Sequence, residues 1–186
     1  MRRAAQLLAG IALLGGCRGE QTPTESTTHI QPHAAADETY ADENKDLATL
    51  RRVTAPFHDF KTAVAAGWSV PITECMSDPA GGMGWHYGNP GLIDKSVRVE
   101  EPELLLYEPE RNGRMRLVAV EYIVPLSAWT SPQPPRLFGR AFVVNQAFQI
   151  WALHVWVWKD NPRGLYADWN PQVTCEHPSA TPPMSH

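Results

Sequence analysis

The stretch FQIWALHVWVW, residues 148–158, places apolar side chains on both faces of an extended strand. Side chains alternate between the faces along a strand, so Ile150 and His154 point one way while Trp151 and Leu153 point the other. A strand that is apolar on both faces is typical of the interior of a sheet that is covered on two sides. We therefore predict a central strand here, with His154 as the ionisable side chain in it.

Residues 117–124 (LVAVEYIV) have the same character and contain one carboxylate, Glu121. Together with residues 104–107 (LLLY), they flank a turn-rich segment at 108–113, which predicts a β-hairpin. A further strand is expected at 141–144. Because no helical pattern separates these strands, we expect them to form an antiparallel sheet.

A helical layer is predicted before the sheet. Apolar residues recur there at steps of three and four, which is the spacing of one helix face: Leu47, Leu50, Val53, Phe57, Phe60, Val64 and Trp68. Pro56 is expected to kink this helix or to start a second one behind Thr54 as its cap. Gly67 is placed to end it in a left-handed turn. The predicted fold class is α+β, an antiparallel sheet with an N-terminal helical layer.

The N-terminus reads as an export signal for a lipoprotein. Arg2 and Arg3 precede an apolar stretch that is too short to cross a bilayer, and small residues lead to Cys17. We predict a signal peptide at 1–16 and a lipid on Cys17. The polar residues 17–40 are expected to form a flexible tether, 41–176 a single domain, and 177–186 a disordered tail. The domain would then lie outside the cytoplasm, anchored to a membrane of the cell envelope.

The charge balance argues against nucleic acid as a partner. The net charge is −4 at pH 7, and removing residues 1–16 takes away Arg2 and Arg3 but no acid, which makes it −6. A mildly acidic protein has no electrostatic attraction to nucleic acid or to anionic headgroups. We expect contact with the membrane through the lipid anchor. Protein partners are not indicated by the sequence.

Two cysteines remain once Cys17 is assigned to the lipid. Cys75 and Cys175 are expected to form a disulfide, because thiols oxidise outside the cytoplasm. Thiolate ligation of a metal is the alternative, but neither cysteine lies in a CxxC pair.

Three residues from separate segments form the candidate site: His86, Glu121 and His154. An unpaired carboxylate inside a strand is costly, so Glu121 needs a partner. Two histidines and a carboxylate can bind one divalent metal ion, with Zn, Fe, Mn or Cu as the candidates. The glycine-rich segment 81–90, interpreted as a loop, would bring His86 to the other two. The alternatives are a metal-free structural pair of Glu121 with His154, or acid–base chemistry without a metal.

Aromatic residues lie beside these histidines in the sequence. Trp85, Tyr87, Trp156 and Trp158 are predicted to line a ligand pocket, and Trp169 lies near enough to join them. The alternative is that these side chains are simply part of the core.

Two motifs resemble those of a family of small secreted bacterial proteins and lipoproteins. GMGWHYGNP, residues 82–90, is similar to a GMGxHYxNP pattern, with Trp85 preceding His86. LHVWVWKDNPRG, residues 153–164, is similar to an LHxWxWxxNPxG pattern. The resemblance covers nearly all of 50–175 and implies a single domain there. It implies no activity and no ligand.

These observations lead to three hypotheses about function. The preferred one is a membrane-anchored envelope lipoprotein that binds a small ligand or a metal ion. The second is a metal-dependent hydrolase or oxidoreductase that uses His86, Glu121 and His154. The third is a structural or partner-binding lipoprotein without a small-molecule site.

Replacing the proposed lipid attachment residue tests the N-terminal assignment. Cys17→Ser removes the thiol that would carry the lipid, so we expect the variant to be released from the membrane fraction. Labelling with a radioactive fatty acid measures this directly. Absence of label on the unmodified protein would show that Cys17 is not lipidated.

Overall fold

The computed structural model describes residues 33–177. The predicted signal peptide, Cys17, most of the tether and the tail from 178 onward lie outside these residues. The described chain begins in helix α1 at His33, within the segment expected to be a tether. Among residues 33–177, none of the helices has the length and hydropathy needed to span a bilayer.

Three helical segments form the N-terminal layer. They are helix α1 (His33–Thr54), a 3-10 helix (Ala55–His58) and helix α2 (Phe60–Ala65). Gly67 follows α2 with φ +112°, which is the left-handed turn that the sequence predicted.

The break between the helices occurs at Pro56, as expected. Thr54 does not cap the next helix, because its hydroxyl donates to the Leu50 carbonyl 2.7 Å away. Asp59 takes that role for α2, since its side chain accepts a hydrogen bond from the Lys61 amide. The predicted break is therefore confirmed, and its capping residue is corrected from Thr54 to Asp59.

Within the described residues, eight strands follow the helices, and six of them form one antiparallel sheet in the order β1-β2-β3-β4-β8-β7. β5 and β6 pair with each other in a small separate ribbon. The strands are β1 (Val70–Asp78), β2 (Gly81–Gly88), β3 (Leu104–Pro109), β4 (Met115–Pro125), β5 (Arg136–Leu137), β6 (Arg140–Ala141), β7 (Val143–Asn145) and β8 (Ile150–Val155). The α+β class, the antiparallel sheet and the β3–β4 hairpin are confirmed.

The glycine-rich segment forms strand β2, and its interpretation as a loop was wrong. It pairs with β1 on one side and β3 on the other. Glycine is needed for close packing rather than for a turn. A Cβ on Gly84, which has φ +86°, would lie 2.5 Å from the Tyr107 carbonyl oxygen, and one on Gly82 would lie 2.7 Å from that of Val173. The close approach at Gly82 lets the C-terminal segment cross β2 directly, and that at Gly84 lets β3 pack closely.

The sheet buries both of its faces, and β4 lies near its centre. On one face, Leu117, Val120 and Tyr122 belong to the core that includes Leu47 and Leu50 of the helical layer. The opposite face has a smaller apolar cluster, with these members: Leu104, Leu106, Val118, Ala119, Ile123, Trp156 and Val173. β8 lies inside the sheet as predicted, but it ends at Val155, before the apolar pattern ends.

The Cys75–Cys175 disulfide is confirmed. Its two Cα atoms are 5.7 Å apart and the cysteines are separated by 100 positions in sequence. It joins β1 to the segment that crosses β2.

Removing this disulfide tests its contribution to stability. Replacing both Cys75 and Cys175 by Ser frees a long loop in the unfolded chain, so the free energy of unfolding should fall by about 2–5 kcal/mol. Urea denaturation of the oxidised protein and the variant measures the difference. Reduced wild-type protein is the matched control and should unfold like the variant. Equal midpoints for oxidised and reduced protein would contradict the prediction.

A second prediction concerns the buried carboxyl of Glu103, which accepts a hydrogen bond from the Ile123 amide at 3.0 Å. Burial raises its pKa from 4.5 to about 8. The folded state therefore holds the proton more tightly than the unfolded state, and the free energy of unfolding should fall as the pH rises from about 4.5 to about 8.

Glu103→Gln keeps a hydrogen-bond acceptor without a titrating charge. We expect this variant to lose that part of the pH dependence and to be more stable than wild type at pH 8. Each unit of pKa shift corresponds to about 1.4 kcal/mol. Urea denaturation at pH 5 and pH 8 measures it, with exposed Glu101→Gln as the control. The same pH dependence in both variants would show that Glu103 is not the responsible group.

Candidate metal centre

Three strands of the sheet, β2, β4 and β8, bring the candidate residues together on one face. Glu121 of β4 is the direct cross-strand partner of His154 of β8. On its other side, Glu121 is paired with Leu104 of β3, which is in turn paired with Gly88 of β2, the strand that contains His86. Directly opposed residues of an antiparallel pair point to the same face of the sheet, which is why Glu121 and His154 meet.

The side chains of His86, Glu121 and His154 converge. Nε2 of His86 is 3.5 Å from Oε2 of Glu121, and Nε2 of His154 is 3.6 Å from Oε1. The two imidazole rings have centroids 5.9 Å apart. All three residues are buried, and one ligand atom from each lies within 4.8 Å of the others. This buried group could hold a metal ion, and we call its three residues the metal-ligand group.

Each histidine also has a polar neighbour on the far side of its ring. Nδ1 of His86 is 2.8 Å from the Thr73 hydroxyl oxygen, a hydrogen bond. Nδ1 of His154 is 3.4 Å from Oδ1 of Asp168. Both rings therefore direct Nε2 towards Glu121. An outer carboxylate or hydroxyl that fixes the ring in this way is the usual arrangement around metal-bound histidines.

Burial dominates the electrostatics of the group. It raises the pKa of Glu121 and, together with the nearby His154, lowers the pKa of His86 to about 3, so His86 is neutral at pH 7. Burial would also lower the pKa of His154, but the carboxylates of Glu121 and Asp168 outweigh it and raise that pKa. Within residues 33–177, no Lys or Arg lies within salt-bridge distance of Glu121.

The ring of His154 is left without hydrogen bonds. It is 5% exposed, and neither of its nitrogens has a hydrogen-bond partner among the described residues. Buried polar atoms in folded proteins nearly always have a partner, so an exception needs an explanation. A metal ion on Nε2 would supply one.

A cavity of about 430 Å³ opens beside the group. We call it the site pocket. Its polar lining residues are Thr73, His86, Glu121, Asn145, His154 and Asp168, and its apolar ones are Ile72, Met76, Met83, Leu104, Ile123, Ala147, Phe148, Ile150 and Trp169. Because β1 and the β7–β8 hairpin belong to opposite ends of the sheet order, the sheet has to curl for both to line one pocket.

The four aromatic residues predicted to line a pocket do not line this one. Trp85 and Tyr87 flank His86 on β2 and therefore face the opposite side of the sheet, where both pack against the core with the helices. The prediction overlooked this alternation because the segment was interpreted as a loop. Trp169 does line the pocket.

Trp156 and Trp158 lie after the end of β8, where the alternation no longer applies. The indole of Trp156 donates to the Ala167 carbonyl, and that of Trp158 donates to the Thr54 hydroxyl. These contacts place both side chains in the core, which was the alternative interpretation.

Thr73 and Asp168 are the site residues that sequence reasoning missed. Thr73 is on β1 opposite His86, and Asp168 is in the loop after β8. Neither belongs to a motif with a characteristic spacing, so only the register of β1 and the path of the loop reveal them.

Comparisons with protein-family models, curated proteins and solved structures found no match to this chain. The resemblance to small secreted bacterial proteins therefore stays a prediction, and the functional argument depends on the site itself.

Proposed function

We propose that this protein binds one divalent metal ion through His86, Glu121 and His154 and presents it to a small ligand in the site pocket. The observation that carries the proposal is the convergence of two Nε2 atoms on one buried carboxylate, at 3.5 and 3.6 Å. A purely structural pair needs only one histidine. Here a second, neutral histidine points at the same carboxylate.

Zinc fits the group best. Zinc accepts histidine nitrogen and carboxylate oxygen, and catalytic or ligand-binding sites commonly keep three protein ligands and one open position. Bonds of about 2.1 Å in a tetrahedral site place neighbouring ligand atoms about 3.4 Å apart. The two histidine–carboxylate distances, 3.5 and 3.6 Å, are close to this value. The open position would face the site pocket.

We also propose that the domain is held outside the cytoplasm by a lipid on Cys17, as an envelope lipoprotein. The Cys75–Cys175 disulfide supports an oxidising compartment, because such bonds are rare where thiols are kept reduced. The export-type sequence that precedes Cys17 supports the same location.

Metal titration tests the proposed site. We expect the purified protein, stripped with a chelator, to bind one Zn²⁺ per chain in isothermal titration calorimetry. His86→Ala and His154→Ala each remove a ligand and should weaken binding by at least about 100-fold, while Asp168→Asn should weaken it about 10–100-fold through the orientation of His154. Glu121→Gln keeps the shape of the side chain without its charge and should also bind more weakly.

His58→Ala is the matched control, because the His58 ring packs on Trp158 at 4.3 Å and is not part of the metal-ligand group. It should bind Zn²⁺ like the wild type. Circular dichroism should show that all variants remain folded. Equal affinity in wild type, His86→Ala and His154→Ala, or no binding to the wild type, would overturn the proposal.

A further inference from the structure

The lining of the site pocket indicates what it binds. It contains His86, Glu121 and His154 together with mostly apolar residues, which include Trp169 and Phe148. The volume of about 430 Å³ is within the range of about 300–1,000 Å³ that is typical of small-molecule sites. A ligand that fills it needs a polar group for the metal and an apolar body for the rest of the lining.

The charges at the site favour an anionic polar group. None of the described residues that line the pocket is Lys or Arg. With a divalent metal, the two neutral histidines and the Glu121 carboxylate leave one net positive charge at the metal. Asp168 faces Nδ1 of His154, on the far side of that ring from Nε2, and its side chain is 64% exposed, so its charge is not one of those on the metal ligands. A single negative charge on the ligand would balance the metal.

Phe148 is positioned at the pocket by the turn between β7 and β8. The Asn145 side chain accepts hydrogen bonds from the amides of Ala147 and Phe148, at 3.1 and 3.3 Å. The next residue, Gln149, has φ +56°, a left-handed backbone conformation that residues other than glycine adopt at an energetic cost. Phe148 is nevertheless 46% exposed, although it lines the pocket. A ligand would cover the exposed part of its ring.

We infer that the site pocket binds a small monoanion with a flat apolar body, such as an aromatic carboxylate. One anionic oxygen coordinates the metal, and the body packs against Phe148 and Trp169. This inference rests on the proposed metal site and adds the class of ligand. The covalent bonds within the ligand stay unchanged, because its oxygen only takes the open position of the metal.

Benzoate is a suitable probe, with acetate and benzamide as matched ligands. Acetate has the same carboxylate without the ring, and benzamide has the same ring and nearly the same shape without the charge. After Co²⁺ has replaced Zn²⁺, benzoate should change the visible absorption of the cobalt. We expect acetate and benzamide each to bind at least about tenfold more weakly.

Two variants test whether Phe148 and Trp169, which line the pocket, contact the ligand. Phe148→Ala should weaken benzoate binding about tenfold and leave Co²⁺ affinity unchanged. The control is Val143→Ala, on the same hairpin, because Val143 is 65% exposed and does not line the pocket. It should bind benzoate like the wild type. Trp169→Leu should weaken benzoate binding in the same direction as Phe148→Ala.

The outcomes separate this inference from the metal proposal. If the protein binds metal but benzoate binds no more tightly than acetate or benzamide, the ligand inference is overturned and the metal site stands. Benzoate binding of equal strength with and without metal would also overturn the inference, since coordination would then play no part. If no metal binds, both proposals fail together. An unchanged benzoate affinity in both Phe148→Ala and Trp169→Leu would show that these two side chains do not contact the ligand, and it would overturn the ligand inference.

Discussion

The carboxylate of Glu121 is the group around which the rest of this domain has to be arranged. It lies in the middle of β4, between Val120 and Tyr122, and Glu121 is only 5% exposed. Taking a charge out of water costs several kcal/mol unless something compensates it. Two histidines on other strands face this carboxylate, which requires β2, β4 and β8 to be held in one register.

Two other buried carboxylates in the described chain are compensated differently. Glu108 accepts from Lys159 Nζ at 2.6 Å and from the Thr174 amide at 3.0 Å, so it has both a cation and a backbone donor. Glu103 has the Ile123 amide, and its raised pKa keeps it protonated at neutral pH. Among the described residues, Glu121 has neither a Lys or Arg partner nor a backbone donor. The histidines that face it are the kind of ligands that share a metal ion with a carboxylate, which explains why this carboxylate and not the others indicates a site.

The packing of the C-terminal segment also constrains the site. Gly82 forms an isolated bridge with Asn170, which brings the loop that contains Asp168 and Trp169 across the sheet. Gly81 and Gly82 allow this approach because a Cβ at either position would collide with the crossing backbone. The disulfide then ties Cys175 to β1. The glycines of β2, the disulfide and the site therefore belong to one arrangement, since the same segment supplies both Asp168 and Trp169 to the pocket.

The sequence by itself determined the α+β class, the β3–β4 hairpin, the helical break at Pro56, the disulfide pairing and the three members of the metal-ligand group. These follow from local rules: side-chain periodicity, the conformational limits of proline, the pairing of two remaining cysteines and the cost of a buried charge. Only the tertiary structure decided that residues 81–88 form a strand, because glycine has low strand propensity and the sequence contains no signal of the backbone that packs on it. It also decided which aromatic side chains line the site pocket. Strand register and the path of the loop after β8 place Trp169 and Phe148 at the pocket and Trp85 and Tyr87 in the core, and both depend on contacts between residues far apart in the chain.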